Sequence, residues 1–388
     1  MSGLARRVQY FTESVIREMT RFAARHGAIN LGQGMPDFDT PQEVKDAACK
    51  AIQDGFNQYA ITWGAPVLRQ AIAAKARDFN GIECDPDREI TVCCGATECM
   101  MASMLALIDP GDEVVVFQPF YENYGADALL SGATPVWVQL HPPDWRFDPD
   151  ELRRAFTPRT KAIIVNTPNN PTGRVFTRDE LSLVAELCRE HDVYALADEI
   201  YEYIRYVDRP HISIATLPGM AERTVTISGL SKTFSVTGWR LGYCIAPAAI
   251  SDGIRKAHDF LTVGAPHPLQ IAGAAALALP ASYYEKLAEG YRRRREILLP
   301  YLREAGFEFQ PPEGAYYVMT DIGPLGGTDD TEFVRAMVRD VGVSAVPGSS
   351  FYSPRERGRT KVRFMFAKRD ETLHEAGGRL RKLRTGLA

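Results

Sequence analysis

Between residues 88 and 245 the chain alternates short, β-branched apolar runs with helix-like stretches. Glu89 to Cys94, Glu113 to Phe117, Thr134 to Leu140, Lys161 to Val165, Val193 to Ala197 and Arg223 to Ile227 read as strands. Glu98 to Ile108 reads as a buried helix. Thr177-Arg-Asp-Glu180 has the spacing of a capping box and opens a helix that runs to about His191. Apolar strands with helices between them belong in a sheet covered on both faces, so the pattern predicts an α/β fold with a largely parallel sheet.

The C-terminal part has another rhythm. A charged helix around Tyr291 to Glu304 is followed by strand-like Tyr316 to Met319, Ser344 to Val346 and Val362 to Phe366. This α+β pattern predicts a second, smaller domain, which divides the chain into a large domain over 46–285 and a small one built from 1–45 and 286–388. Arg292 to Arg295 form a basic run, but Glu285, Glu289 and Glu296 surround it, as on a solvated helix face.

Composition narrows the partners. The 388 residues are 45% hydrophobic and 24% charged with a formal net charge of -4, which offers no attraction for nucleic acid or an acidic membrane. Small-molecule ligands are expected. The N-terminus lacks the apolar core of a signal peptide, and no apolar run reaches the roughly 20 residues a bilayer needs, so a cytoplasmic location is the expectation. The seven cysteines are odd in number and mostly lie in apolar stretches, as reduced buried thiols do. Neither a Cys-x-x-Cys nor a His-x-x-x-His pair occurs, so no metal site is expected.

Open parallel sheets bind ligands beyond the carboxyl ends of their strands. After the first strand come Gly95, Ala96 and Thr97, small residues at a helix start whose free N–H groups suit a phosphate. Pro119-Phe-Tyr121 comes after the second, with rings that stack on a flat ligand or pack the core. Asn169-Asn-Pro-Thr-Gly173 is a turn by composition, and Asp198-Glu-Ile-Tyr201 places a carboxylate and a phenol at the sheet's edge. The last strand leads into Ser228-Gly-Leu-Ser-Lys232, continuing to Arg240 and Gly242. A lysine among small and apolar residues loses basicity through desolvation and becomes a nucleophile able to form an imine. Arg240 offers a planar fork for a phosphate. The competing reading is a snorkelling surface lysine and a structural arginine.

Gly229 to Gly242 resembles the cofactor-lysine signature of the class I/II aminotransferases. The likeness extends along the chain through Asn30-Leu-Gly-Gln-Gly34, Asn57-Gln-Tyr59, Gly111-Asp-Glu-Val114, Asn166 to Gly173, Ala197 to Tyr201, Glu313-Gly-Ala-Tyr316 and Arg363 to Phe366. The spacing is most similar to the kynurenine, glutamine and methionine aminotransferase branch. The resemblance implies the fold-type I architecture and pyridoxal 5'-phosphate (PLP), held by Lys232 as a Schiff base. It further implies that Asp198 pairs with the pyridinium nitrogen, that Tyr201 and Asn170 hydrogen-bond the ring oxygen, and that Tyr121 stacks on the ring. Ala96, Thr97 and Arg240 would bind the phosphate, with Tyr59 reaching it from the other subunit of a homodimer. Arg363 and the Gly34 backbone, helped by Asn170, would hold the substrate's α-carboxylate.

Two departures bear on these assignments. Many relatives carry a serine three residues before the lysine, where this chain has Gly229, which leaves Ser228 and Ser231 as candidates for the phosphate. Ile16 stands near a position where the kynurenine branch tends to have an aromatic residue.

The implied activity is transamination between an L-amino acid and a 2-oxo acid. A β-lyase, cyclase or oxidase on the same site is the first alternative, because cofactor-binding motifs do not report the fate of the substrate. A non-catalytic aminotransferase-like regulator is the second, and the roughly 30 residues before Leu31 lack a basic recognition helix. The aromatic residues Tyr10, Phe11, Tyr59, Trp63 and Tyr316 are expected near the cleft, and apolar walls favour a neutral or aromatic donor such as glutamine, methionine or phenylalanine.

Overall fold

The computed structural model describes residues 13–385 together with Gly3, Ala5, Val8 and Gln9. Thirteen strands occur among the described residues. Eight of them form one sheet: β2 (Ile90–Cys93), β3 (Glu113–Gln118), β4 (Thr134–His141), β5 (Arg146–Phe147), β6 (Thr160–Asn166), β7 (Tyr194–Asp198), β8 (Thr224–Gly229) and β9 (Gly242–Ile245). Their order across the sheet is β2-β9-β8-β7-β6-β3-β4-β5. The stretch from β8 to β4 is parallel. Its period-two side-chain alternation feeds two cores at once. Val115, Phe117, Ile163, Val165, Ala195 and Ala197 enter one buried cluster, while Val114, Val116, Ala162, Ile164 and Leu196 enter another on the opposite face.

All six strands read from the sequence in this region are present. The reading missed β9, a four-residue strand that runs antiparallel between β8 and β2, and the short β5 that pairs with β4. Both are too brief to show periodicity. The capping box is formed: the Glu180 N–H donates to the Thr177 hydroxyl at 3.2 Å, and the Thr177 N–H donates to the Glu180 carboxylate at 2.7 Å.

The remaining strands lie outside this sheet. β10 (Tyr317–Asp321), β12 (Val346–Pro347) and β13 (Lys361–Met365) make an antiparallel sheet in the order β10-β13-β12. β1 (Ile29–Asn30) pairs in parallel with β11 (Val343–Ser344), which ties the N-terminal segment to the C-terminal part. Leu298, Leu302, Phe307, Val318, Phe364 and Phe366 share a core there. The long helix spans Ala281–Ala305, ten residues earlier than the charge pattern suggested. Its first turns carry Tyr283 and Tyr284, whose rings lie 5.5 and 6.2 Å from that of Phe234; in the basic run Arg292 and Arg293 are exposed with Glu285, Glu289 and Glu296, while Arg294 and Arg295 lie over the rings of Phe38 and Tyr206 at 4.1 and 5.1 Å. No helix among the described residues is long and apolar enough to cross a membrane.

Candidate active site

β3 has β4 on one side and β6 on the other, so the chain reverses direction across the sheet at this point, and ligands of open sheets settle at such reversals. A cavity of about 430 Å³ lies here. It is lined by Ala96 and Thr97 after β2, Tyr121 after β3, Asn170 after β6, Asp198 and Tyr201 at the end of β7, and Ser231, Lys232 and Arg240 after β8. Gly34 and Arg363 complete the wall from the other side.

One end of the cavity is built for an anion. Ala96 and Thr97 open the helix Ala96–Leu107, whose N-cap Gly95 offers no side chain, and the first N–H groups of a helix lack intrahelical acceptors. Gly95 has φ +90°, and a Cβ there would lie 2.5 Å from Nη2 of Arg240. The positive φ favours glycine, and any Cβ there would have to push the Arg240 guanidinium aside. The Arg240 Nη1 donates to the Thr237 carbonyl at 3.1 Å.

The two candidate serines part company. Ser231 lines the cavity, whereas Ser228 donates its hydroxyl to Glu202 at 2.8 Å and is outside the lining. Glu202 also accepts from Lys75 at 2.5 Å and from Asn80 at 2.8 Å, which makes a buried network. At Gly229 a Cβ would stand 2.8 Å from the Leu241 carbonyl, so the backbone crossing there leaves no room for a side chain.

The middle of the cavity holds the titratable groups. Oδ2 of Asp198 accepts a 2.6 Å hydrogen bond from the Tyr124 phenol, and Oδ1 accepts from the Ile200 N–H at 3.2 Å. Burial raises the Asp198 carboxyl above its ordinary range, and the bonds from Tyr124 and Ile200 and the charge of Lys232 pull it back. Burial likewise lowers Lys232, with Arg240 and Arg363 acting in the same sense and Tyr317 and Asp198 opposing. The Lys232 ammonium stands 5.9 and 5.8 Å from the ring centres of Tyr201 and Tyr316. The Tyr201 hydroxyl lies 3.1 Å from that of Tyr317. Burial pushes the Tyr317 phenol up, yet Lys232 and Arg363 outweigh it and leave the group below its ordinary value.

Arg363 closes the other end. Nη1 donates to the Asn170 side-chain oxygen at 2.7 Å and Nη2 to the Gly32 carbonyl at 2.8 Å. Its guanidinium sits 4.1 Å from the Tyr317 ring centre and 4.8 Å from that of Phe351. Only 1% of Arg363 is exposed, its Nε has no partner, and no carboxylate pairs with it among the described residues. A buried cation left without a counter-charge marks a place for an anionic ligand.

Of the aromatic residues expected near the cleft, Tyr59, Trp63 and Tyr316 do not line this chain's own cavity. Tyr59 is 84% exposed and Trp63 lies under the Arg255 guanidinium at 4.9 Å, neither lining the cavity. Tyr316 is fully buried and donates to the Gly34 carbonyl at 3.1 Å. Its neighbour Tyr317 lines the cavity instead. Tyr10 and Phe11 lie outside the described residues. Ser14, Ile16, Arg17, Gln33 and Asn123 also line the cavity. Sequence reading also missed Tyr124, whose position in the first turn of the helix Asn123–Ser131 was a usable signal, and Asp127 on the next turn. Of the cysteines, Cys93, Cys99, Cys188 and Cys244 are buried and Cys49 is exposed.

The class I and II aminotransferase model matches residues 26–380. The methionine aminotransferase of Escherichia coli is 37% identical over 370 residues, covering 95% of this chain and 96% of its own. The human kynurenine–oxoglutarate transaminase 1 is 37% identical over 403 residues, with 95% and 96% covered. Among solved structures, the N-succinyldiaminopimelate aminotransferase of Mycobacterium tuberculosis superposes with a TM-score of 0.95 at 41% identity, over 98% of this chain and 100% of its own. The strand-end lysine, the buried carboxylate beside it and the unpaired arginine thus sit in a chain that belongs to the class I and II aminotransferases.

Proposed function

We propose that the cavity binds PLP through Lys232 and exchanges the amino group of a neutral or aromatic L-amino acid with a 2-oxo acid. The observation that carries this reading is the sequence of groups along one cavity: an anion cradle, a desolvated lysine beside a buried carboxylate, and an unpaired arginine. The fit to the cofactor is chemical. The Gly95 cradle with Arg240 suits a phosphate, Asp198 suits a protonated ring nitrogen, and Tyr201 and Asn170 suit a phenolic oxygen. When bound, PLP supplies an electron sink for the bonds at the substrate's Cα.

The protein's own work is to hold and to move protons. In this reading Lys232 takes the Cα proton and returns it, and its lowered basicity leaves a larger neutral fraction to do so. Asp198 keeps the ring nitrogen protonated. Arg363 holds the α-carboxylate with a planar fork that fixes which bond at Cα is presented. Ile16 and Met35 in the lining supply apolar contact for a neutral side chain.

A homodimer belongs to the same proposal. Phe56, Tyr59, Ile61, Phe260, Leu261 and Val263 are all exposed apolar residues. They lie on two adjoining segments: His267 bonds the Gln58 carbonyl at 2.9 Å and its ring lies 5.3 Å from that of Phe56. Patches of this kind mark interfaces.

The decisive variant is Lys232→Ala. It is expected to lose the visible absorption of the covalently held cofactor and to lose steady transamination. Turnover at the wild-type rate would refute the reading.

A further inference from the structure

We infer that Cys93, Cys99 and Cys244, together with His258, form a buried site for a thiophilic divalent ion of the zinc class next to the anion cradle.

The three sulfurs come from three elements. Cys93 ends β2, Cys99 lies in the first turn of the helix Ala96–Leu107, and Cys244 belongs to β9. Their sulfur atoms lie within 4.8 Å of one another, and at most 1% of any of the three residues is exposed. No Cys-x-x-Cys spacing announces this cluster, because the fold and not the chain gathers it. Zinc–sulfur bonds of about 2.3 Å in a tetrahedral site set the sulfurs about 3.8 Å apart, so the cluster has to close by roughly an ångström at most.

A fourth ligand is at hand. A ring nitrogen of His258 and a carboxylate oxygen of Glu98 lie within 4.8 Å of the Cys93 sulfur. The His258 ring is fully buried, with Nε2 at 3.0 Å from the Thr62 carbonyl and Nδ1 at 2.7 Å from Glu98. A carbonyl only accepts, so Nε2 carries a proton, and an imidazole held in this way through one nitrogen presents the other to a metal. Turning Nδ1 from Glu98 to the ion leaves Glu98 with the Cys94 N–H and the Thr262 hydroxyl. Three thiol protons and the Nδ1 proton leave for each ion bound. Three thiolates and a divalent ion then carry one net negative charge, and the positive charge of Arg255 reaches Cys244.

Two plainer readings of buried thiols fit less well. In the β2–β9 register Thr91 faces Cys244 and Cys93 faces Gly242. Cys93 and Cys244 are therefore diagonal neighbours, roughly 7–8 Å apart, beyond the span that a disulfide closes. Packing as small apolar side chains accounts for the sulfurs, but not for a histidine and a glutamate brought to one of them. The same three elements shape the cradle: Gly95 follows β2, Ala96 opens the helix, and Gly242 of β9 lies against the Ala96 backbone. One ion pins all three.

The test uses the holoenzyme, expressed with added zinc, washed with a mild chelator and analysed for bound metal by mass spectrometry. About one zinc ion per chain is expected in the wild type, and cadmium in its place should show the ultraviolet absorption of cadmium–thiolate bonds. Cys244→Ala and Cys99→Ala should each lower the zinc content about 10-fold or more, while Cys49→Ala, which removes an exposed cysteine, should leave it unchanged. Added zinc should raise the Tm of the wild type and not that of Cys244→Ala. A wild-type holoenzyme that retains less than about a tenth of an ion per chain would overturn the inference, as would zinc held equally well by the folded Cys244→Ala and Cys99→Ala proteins. The first of these results is read on the wild type alone, so it decides even where a variant fails to fold.

Discussion

The Tyr124 phenol donates to Oδ2 of Asp198 at 2.6 Å, and the two residues come from different elements, the helix Asn123–Ser131 and the end of β7. The bond stabilises the charged carboxylate against its own burial. Tyr124→Phe is therefore expected to raise the Asp198 pKa further and to weaken its grip on the ring nitrogen, reducing kcat roughly 10- to 100-fold. Asp198→Ala should cost several orders of magnitude. If Tyr124→Phe equalled Asp198→Ala, the tyrosine would have a role beyond supporting the carboxylate; kcat and its pH profile decide this.

Arg363 is held by Asn170 and the Gly32 carbonyl through separate nitrogens. Arg363→Lys removes the fork while keeping the charge. KM should rise roughly 10- to 100-fold for every amino acid and oxo acid, with little change in the ranking among them. A loss confined to one substrate class, seen in a donor and acceptor screen, would place the α-carboxylate elsewhere.

Gly95 combines a left-handed backbone with an arginine 2.5 Å from any Cβ. Gly95→Ala should destabilise the fold by about 1–3 kcal/mol and displace Arg240, so that cofactor dissociates more readily. Thermal denaturation and cofactor release on dilution measure the two effects. A normal cofactor affinity would mean that Arg240 does not hold the phosphate.

Asp127 is a buried carboxyl whose Oδ2 lacks a partner, raised to about 8 by desolvation. A carboxyl raised on folding binds its proton more tightly in the native state, so its contribution is greatest below the unfolded pKa of 3.8 and is lost as pH rises to about 8. Asp127→Asn, which cannot ionise, should thus gain in Tm over the wild type as pH rises from 5 to 8, with no further gain above. A constant difference across that range in a melting series would contradict the raised carboxyl.

Residues at strand ends were the legible part of the site, because a covered parallel sheet announces its strands by unbroken apolar runs and its ligand contacts by the residues just beyond them. Asp198 and Lys232 belong to that class. Tyr317 was illegible for a definite reason: in a strand, one step along the chain decides which face a side chain takes, and Tyr316 and Tyr317 offer the same chemistry at adjacent steps. Ser228 near the end of β8 and Ser231 just beyond it were likewise alike in chemistry, and it was the hydrogen bond to Glu202 that separated them. Arg17 was hidden by distance. Nothing in a charged amphipathic helix near the N-terminus says that it will be laid across a cavity built mainly by residues 96–240 and 363. β9 left no periodic trace, although it is the strand that brings Gly242 against the backbone of Ala96.

The antiparallel pairing of β9 with β8 makes Gly229 the partner of Gly242, which closes residues 230–241 into one short excursion carrying both Lys232 and Arg240. Chain closure over so few residues costs little entropy and can occur early. The contact between Asn170 and Arg363 spans 193 residues and must await the docking of the C-terminal strands, the slower event on loop-closure grounds. Lys232 and Arg240 are therefore brought together by neighbouring sequence, while the setting of Arg363 depends on long-range assembly. A partly unfolded C-terminal region would release Arg363 from Asn170 and leave the turn carrying Lys232 and Arg240 closed.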